Sequence, residues 1–301
     1  MKPRGLLKHG EPMARHTSWR VGGPAERYFE PADRDDLVKL FKQLPPQEPI
    51  LWLGLGSNLL VRDGGVRGTV IALHGALDGL ALESERVIRA EAGVHCARLA
   101  KFAQQKKRAG LGFLAGIPGT VGGALAMNAG AWGSETWANV TEVEVLYRDG
   151  RNAWVLPDAF RYGYRHVEAP KDFCGYLAAR FRVTDDSDGA HERYTREALA
   201  KRKASQPVGR PSAGSTFRNP PHEYAARLIE AAGLKGHRIG AAEVSTHHAN
   251  FIITHAGATA AEVEALIAHI QQVVKDTARV ELQTEVVIVG DSLPKGAKGH
   301  A

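Results

Sequence analysis

Cysteine is nearly absent from this chain. Its 301 residues hold two, Cys96 and Cys174, and neither belongs to a CxxC pair. A disulfide framework needs an even set of spaced cysteines, and a zinc site needs paired ligands. The counts argue against both and favour a reducing compartment. No run of about 18 apolar residues occurs, the length a helix needs to cross a bilayer, so no membrane partner is expected. The opening MKPRGLLKHGEP lacks the apolar stretch of a secretory signal, and a cytoplasmic location is expected. No block of Arg and Lys is interleaved with aromatics. The net charge of +6, from 39 basic and 33 acidic residues, suits an anionic small molecule, and no nucleic-acid partner is expected. His247, His248 and His255 lack helical ligand spacing and a close acidic partner, so no metal is expected.

Several nucleotide and hydrolase signatures are missing too. There is no GxxxxGK[ST] phosphate loop and no GxSxG elbow. GLGSNLL (54–60) begins like a dinucleotide fingerprint, but Leu59 stands where the third glycine is required. A Rossmann site is therefore a poor reading.

What the chain has is glycine. Six of the 18 residues in GIPGTVGGALAMNAGAWG (116–133) are Gly: Gly116, Gly119, Gly122, Gly123, Gly130 and Gly133. Glycine adopts backbone angles closed to other residues and lets main-chain N–H groups approach a ligand. So dense a run suits the lining of a phosphate-bearing ligand site.

The length allows two or three domains at about 150 residues each. DRDDLVKLFKQL (33–44) predicts a helix with Asp33 as its cap. Strands are predicted at 69–73, 86–93 and 176–183, and a hairpin over 140–156 with its turn at Asp149-Gly150. A helix is predicted at 95–109, ended by Gly110. Residues 184–194 read as a polar loop, followed by a charged helix to about Lys203. Beyond a boundary near 200–206 come a helix (222–232), a strand (250–254), an amphipathic helix (259–277) and a strand (279–290). Helices and strands do not alternate regularly, so the class is α+β rather than a doubly wound sheet.

Three side chains suggest chemistry. Ser215 lies in PSAGSTFRNP (211–220), where Gly214 frees the backbone; alone it reads as a loop or capping serine. Glu285 lies in RVELQTEVVIVG (279–290). Val280, Leu282, Val286 and Ile288 share one face of that strand, and Glu281, Gln283 and Glu285 the other, which turns apolar with Val287 and Val289. That places the Glu285 carboxylate at the mouth of a buried region. Arg165 ends FRYGYR (160–165), where a guanidinium could fork onto a carboxylate or phosphate; from local sequence alone a surface arginine is the better reading.

Together these segments resemble the UDP-N-acetylenolpyruvoylglucosamine reductase family. HTSWRVGGPA (16–25), LGLGSNLLV (53–61), GIPGTVGGALAMNAGAWG, YGYR (162–165), PSAGSTFRNP, AAGLKGHRIGAAEVSTHHANFI (231–252) and LQTEV (282–286) match its motifs in order. With no added tyrosine-bearing insertion after Arg165, the chain is most similar to the compact subtype.

The resemblance implies a two-part α+β FAD-binding unit of the vanillyl-alcohol-oxidase (PCMH) type over 1–204, in subdomains of about 1–76 and 77–204. A C-terminal α+β substrate-binding domain over 205–290 and a disordered tail over 291–301 would follow. The implied activity is that of an FAD-dependent UDP-N-acetylmuramate dehydrogenase in peptidoglycan precursor synthesis. NADPH is the co-substrate, FAD is bound non-covalently, and UDP-N-acetylglucosamine enolpyruvate is reduced to UDP-N-acetylmuramate by a monomeric enzyme. By resemblance Ser215 is the proton donor, and Arg165 and Glu285 polarise the substrate carboxylate. Gly54, Gly56, Ser57 and Asn58 would hold FAD. So would Gly116, Pro118, Gly119, Thr120, Gly122, Gly123, Asn128 and Gly130. Arg218, Asn219, Lys235 and Asn250 would bind substrate, with Arg238 a further candidate for its diphosphate. Arg218 departs from the usual Lys, Val167 from Ser, Thr254 from Asn, and Gln283-Thr284 from Glu-Pro. Two rivals stand beside this reading: a flavin oxidase or dehydrogenase acting on another substrate, and a non-catalytic nucleotide-sugar-binding protein.

Overall fold

The computed structural model describes residues 3–293, so the tail expected to be disordered lies outside them from 294 onward. The chain forms two compact units. Of the described residues, one takes 3–8, Tyr28–Leu55 and Val70–Arg202. The other takes His9–Arg27, Gly56–Thr69 and 203–293.

The first unit is built on a five-stranded antiparallel sheet. Its strands run in the order Asn152–Val155, Val140–Tyr147, Phe173–Arg182, Val87–Glu91, Leu80–Ser84. Val143 and Val145 are fully buried, as alternation demands, and Gly150 takes the left-handed φ of +82° at the hairpin turn. Helix α1 (Arg34–Phe41) starts where the Asp33 side chain accepts the N–H of Asp36 at 2.9 Å. It buries Leu37, Leu40 and Phe41 in the same core.

Helix α2 (Cys96–Gln105) stops four residues before the expected Ala109. Lys107 turns left-handed at φ 54°, and Arg108–Ala109 then pairs antiparallel with Thr184–Asp185. That pairing also converts the start of the expected polar loop at 184–194 into strand. A partner distant in sequence overrode local propensity at both places. Helix α3 (Val121–Met127) is capped by Thr120, and helix α4 spans Ala190–Ser205.

The second unit packs helix α5 (Ala225–Ala231) and helix α6 (Ala260–Ala278) with a three-stranded antiparallel sheet. That sheet runs Arg238–Ile239, Ala242–Val244, Ile252–Thr254. Thr259 and Glu262 form a capping box at the start of α6, and Asp63 accepts the N–H groups of Ala260 and Ala261 at 2.9 Å. The expected stripe of α6 is inside: Val263, Leu266, Ile267, Ile270 and Val274 are buried, and Val273 is partly so. The final strand is shorter than expected. Only Val287–Val289 is strand, paired parallel with Leu59–Val61. The predicted facing of 279–290 holds at Leu282 and Val286, both buried, but Val287 is 44% exposed. The second face therefore does not become apolar interior after Glu285.

Candidate active site

The glycine-bearing segments differ in how they use their amides. In the turn after strand Ile50–Leu53, the N–H groups of Gly54, Leu55, Gly56 and Ser57 have no acceptor among the described residues. Gly56 is left-handed (φ 60°), and its carbonyl accepts the N–H of Ser18 at 3.1 Å. Asn58 donates its side-chain amide to the carbonyl of Glu285 at 3.0 Å. A Cβ at Gly54 would lie 2.5 Å from Thr120 Oγ1, so the first turn and the second glycine segment meet without room for a side chain.

Most amides of the second segment are consumed. Gly119 donates to Ile117, Val121 to Val94 and Gly122 to Ala92, at 2.8–3.0 Å. The N–H of Cys96 reaches the carbonyl of Gly119 at 2.9 Å, and burial pushes its thiol pKa up to about 12. These glycines serve close packing of backbone on backbone, rather than the open N–H cradle that composition suggested.

Asn128 and Gly130, expected at the cofactor, both lend their carbonyls to Arg165. Asn128 is left-handed and 1% exposed. Its side chain accepts from Trp137 N at 3.1 Å and donates to Glu135 Oε2 at 2.8 Å and to the carbonyl of Gly163 at 3.0 Å. Arg165 donates to the carbonyls of Asn128 (3.4 Å) and Gly130 (3.0 Å), at the tip of the hairpin Arg161–Gly163/His166–Glu168. A Cβ at Gly130 would lie 3.3 Å from Arg165 Nη1 and 2.6 Å from the carbonyl of Ser134. These two carbonyls help to orient the guanidinium.

The second unit brings Ser215 and Glu285 onto adjoining segments. The carbonyl of Thr216 accepts the N–H of Glu285 at 2.8 Å, Phe217 bridges Thr284, and Arg218 N donates to the carbonyl of Gln283 at 2.9 Å. Gly214, at φ 74°, turns the chain just before Ser215. The Ser215 hydroxyl has no hydrogen-bond partner among the described residues, and the buried hydroxyl of Thr216 beside it has none either.

The expected substrate contacts divide. Asn250 is 4% exposed and committed to the chain: it accepts from Phe217 N at 2.9 Å and donates to Phe217 O at 2.8 Å. It holds the Ser215 segment through Phe217. Asn219 accepts the N–H of Ala225 at 3.1 Å, at the start of α5. Lys235 donates to Glu230 at 2.8 Å, and Arg238 to Glu243, which also holds His255 at 2.7 Å. Burial pushes the Glu243 carboxyl up, but the hydrogen bonds from His255 and Arg238 outweigh it and leave the pKa below the ordinary range. Arg218 keeps a buried Nε with no hydrogen-bond partner among the described residues. The three histidines take separate partners: His247 the carbonyl of Ala204, His248 the N–H of Asn250, His255 Glu243. What sequence reasoning missed is support: Thr216 and Asn58 both bind the backbone of Glu285, and neither role has a local signal.

Two domain models match this chain: an FAD binding domain over residues 25–155, and the UDP-N-acetylenolpyruvoylglucosamine reductase C-terminal domain over residues 206–289. The class is thus an FAD-dependent oxidoreductase. Relatives that align along the whole chain narrow it. The UDP-N-acetylenolpyruvoylglucosamine reductase of Methylococcus capsulatus is 51% identical over 289 residues, 96% of this chain and 95% of its own. That of Alkalilimnicola ehrlichii is 53% identical over 288 residues, 96% of each. The solved UDP-N-acetylenolpyruvylglucosamine reductase of Thermus caldophilus matches with a TM-score of 0.82 at 33% identity, covering 95% of this chain and 98% of that one. The chain belongs to the UDP-N-acetylenolpyruvoylglucosamine reductase family.

Proposed function

We infer that this protein reduces UDP-N-acetylglucosamine enolpyruvate to UDP-N-acetylmuramate at the expense of NADPH, with non-covalent FAD, in peptidoglycan precursor synthesis. One observation supports the site above the others: a serine hydroxyl with no partner among the described residues sits on a segment hydrogen-bonded directly to the Glu285 backbone. The residues also fit the cofactor. Four consecutive amides at 54–57 have no acceptor among the described residues, which supports them as donors to a diphosphate.

When bound, FAD supplies the two-electron relay between NADPH and the enolpyruvyl group. The chain's own residues handle charge and the proton. Reduction at the methylene carbon leaves negative charge on the adjacent carbon and its carboxylate. Arg165, oriented by two carbonyls, meets that charge. Ser215 protonates the carbon bearing the ether oxygen; a weak acid suffices because an enolate-like carbon is a strong base. Glu285, fixed through its backbone by Thr216 and Asn58, aligns the carboxylate end. Arg218, Lys235 and Arg238 are the cations available for the substrate diphosphate.

Stopped-flow absorbance of the flavin tests this. NADPH should bleach the wild-type flavin, and UDP-N-acetylglucosamine enolpyruvate should restore its colour. In Ser215→Ala bleaching should persist while reoxidation slows by about 10²–10⁴-fold, the ordinary worth of a general acid. Unchanged reoxidation would remove Ser215 from its role, and a colourless protein that takes up no FAD would overturn the whole reading. Among the described residues no helix is long and apolar enough to cross a membrane. A cytoplasmic monomer is the proposed state, tested by elution at the 32.5 kDa of one chain.

A further inference from the structure

Helix α4 is polar on nearly every side: of its 16 residues only Ala198 is buried. A helix with so little apolar contact must be held by something other than a core. Its ties are polar: Tyr194 donates to the carbonyl of Trp132 at 3.4 Å and the carbonyl of Ala204 meets His247 at 2.8 Å, while a further set runs to residues 110–116. Ahead of it, Thr184–Asp185 pairs with Arg108–Ala109. The Asp186 carboxylate accepts the N–H groups of His191 (2.9 Å) and Glu192 (3.2 Å), which fixes where the helix begins. Gly110 then donates its N–H to His191 Nε2 at 3.3 Å. Gly112 has no space for a side chain, since an added Cβ would overlap Thr195 Oγ1. At the far end Arg202 donates to the carbonyl of Gly116. Burial pulls the Arg202 guanidinium below the ordinary arginine pKa, as for a cation held partly away from water.

His191, Thr195, Ala198 and Arg202 fall at i, i+4, i+7 and i+11, a single stripe of the helix. Their partners Gly110, Gly112 and Gly116 follow in the same order. One face of α4 is therefore laid along residues 110–116. The last of these opens the glycine-rich segment, and a Cβ there would lie 2.8 Å from the Trp132 ring.

We propose that α4 is a brace for residues 110–116, which lead into the segment whose Thr120 abuts Gly54 at the open amides of 54–57, and that His191 and Arg202 are positioning residues for FAD. The proposal rests on the flavin reading above. With one buried apolar side chain, docking of α4 is worth little free energy and can be shifted by a ligand. Coupling of this kind is reciprocal: a docked α4 tightens FAD, and bound FAD holds α4 down by the same factor.

Two measurements test it. Hydrogen exchange of the protein at saturating and at depleted FAD should show the amides of 190–205 slowed when FAD is bound. FAD release from the holoenzyme should be faster in Gly112→Ala, with affinity lower by about tenfold, a coupling of the usual allosteric size. Adding Thr195→Ala should recover most of that loss, because the hydroxyl that the new methyl meets is gone. Arg202→Lys should keep part of the affinity that Arg202→Met loses. Equal exchange in α4 with and without FAD would overturn the brace, as would a Gly112→Ala protein with lowered thermal stability and wild-type FAD affinity. A wild-type protein that binds no FAD overturns the flavin reading and the brace together. A wild-type protein that binds FAD while α4 is indifferent overturns the brace alone.

Discussion

Two glycine-bearing segments of this chain leave their amides in opposite states. At 54–57, four successive N–H groups have no acceptor among the described residues. At 116–123, Ile117, Gly119, Val121 and Gly122 all donate to nearby carbonyls, and Gly123 reaches Thr120 Oγ1 only weakly at 3.5 Å. Glycine density alone does not tell a ligand cradle from a tightly packed corner. The shorter segment has the open donors, although the longer one has the more suggestive composition.

This contrast can be broken from either side. The largest effect should come from Gly56→Ala. Its φ of 60° disfavours any side chain, and the new Cβ would overlap the backbone carbonyl of His16, which has no rotamer to move. A loss of about 1–3 kcal/mol is expected, read from urea unfolding, together with failure to take up FAD. Gly54→Ala should be milder. Its obstacle is the Thr120 hydroxyl, so FAD affinity should fall and Thr120→Ala should restore part of it. In the packed segment, Gly123→Ala should be nearly silent for FAD. An added Cβ there meets nothing nearer than 3.8 Å, and a glycine replaced inside a helix should raise stability by about 0.5–1 kcal/mol. A Gly123→Ala protein that loses FAD would show that the second segment is the cradle after all. The smallest signal comes from Cys96, which is buried against Gly119 with its thiol pKa pushed up to about 12. It should resist alkylation until the protein unfolds, and ready labelling at pH 8 would mean that the packed segment opens.

Much of the fold was legible where the deciding contacts are local. The Asp33 cap, the apolar stripe of α6 and the Asp149-Gly150 turn each lie within a few residues of the element they define. The misread boundaries have distant causes. Helix α2 ends early because 108–109 is claimed by 184–185, and the last strand is short because its partner at 59–61 has three residues. The site divides in the same way. Ser215 and Glu285 were candidates by residue type and motif, yet their adjacency is a tertiary contact through Thr216. Asn128 and Asn250 read as ligand contacts from the motifs they sit in. Both also hold the chain itself, Asn128 through Gly163, Trp137 and Glu135 and Asn250 through Phe217, a use that only the folded chain reveals.

The parallel pairing of Leu59–Val61 with Val287–Val289 has a consequence for biosynthesis. A strand at Leu59–Val61 waits on the ribosome for its partner at Val287–Val289. The second unit also draws on His9–Arg27 and Gly56–Thr69, so it cannot close before residues 203–289 have emerged as well. Loop closure over such a span is entropically slow, and the early strand stays exposed to unwanted partners meanwhile. A gene fragment encoding only residues 203–301 would lack that strand and should yield insoluble product, whereas chaperone supply during synthesis should govern the yield of the whole enzyme.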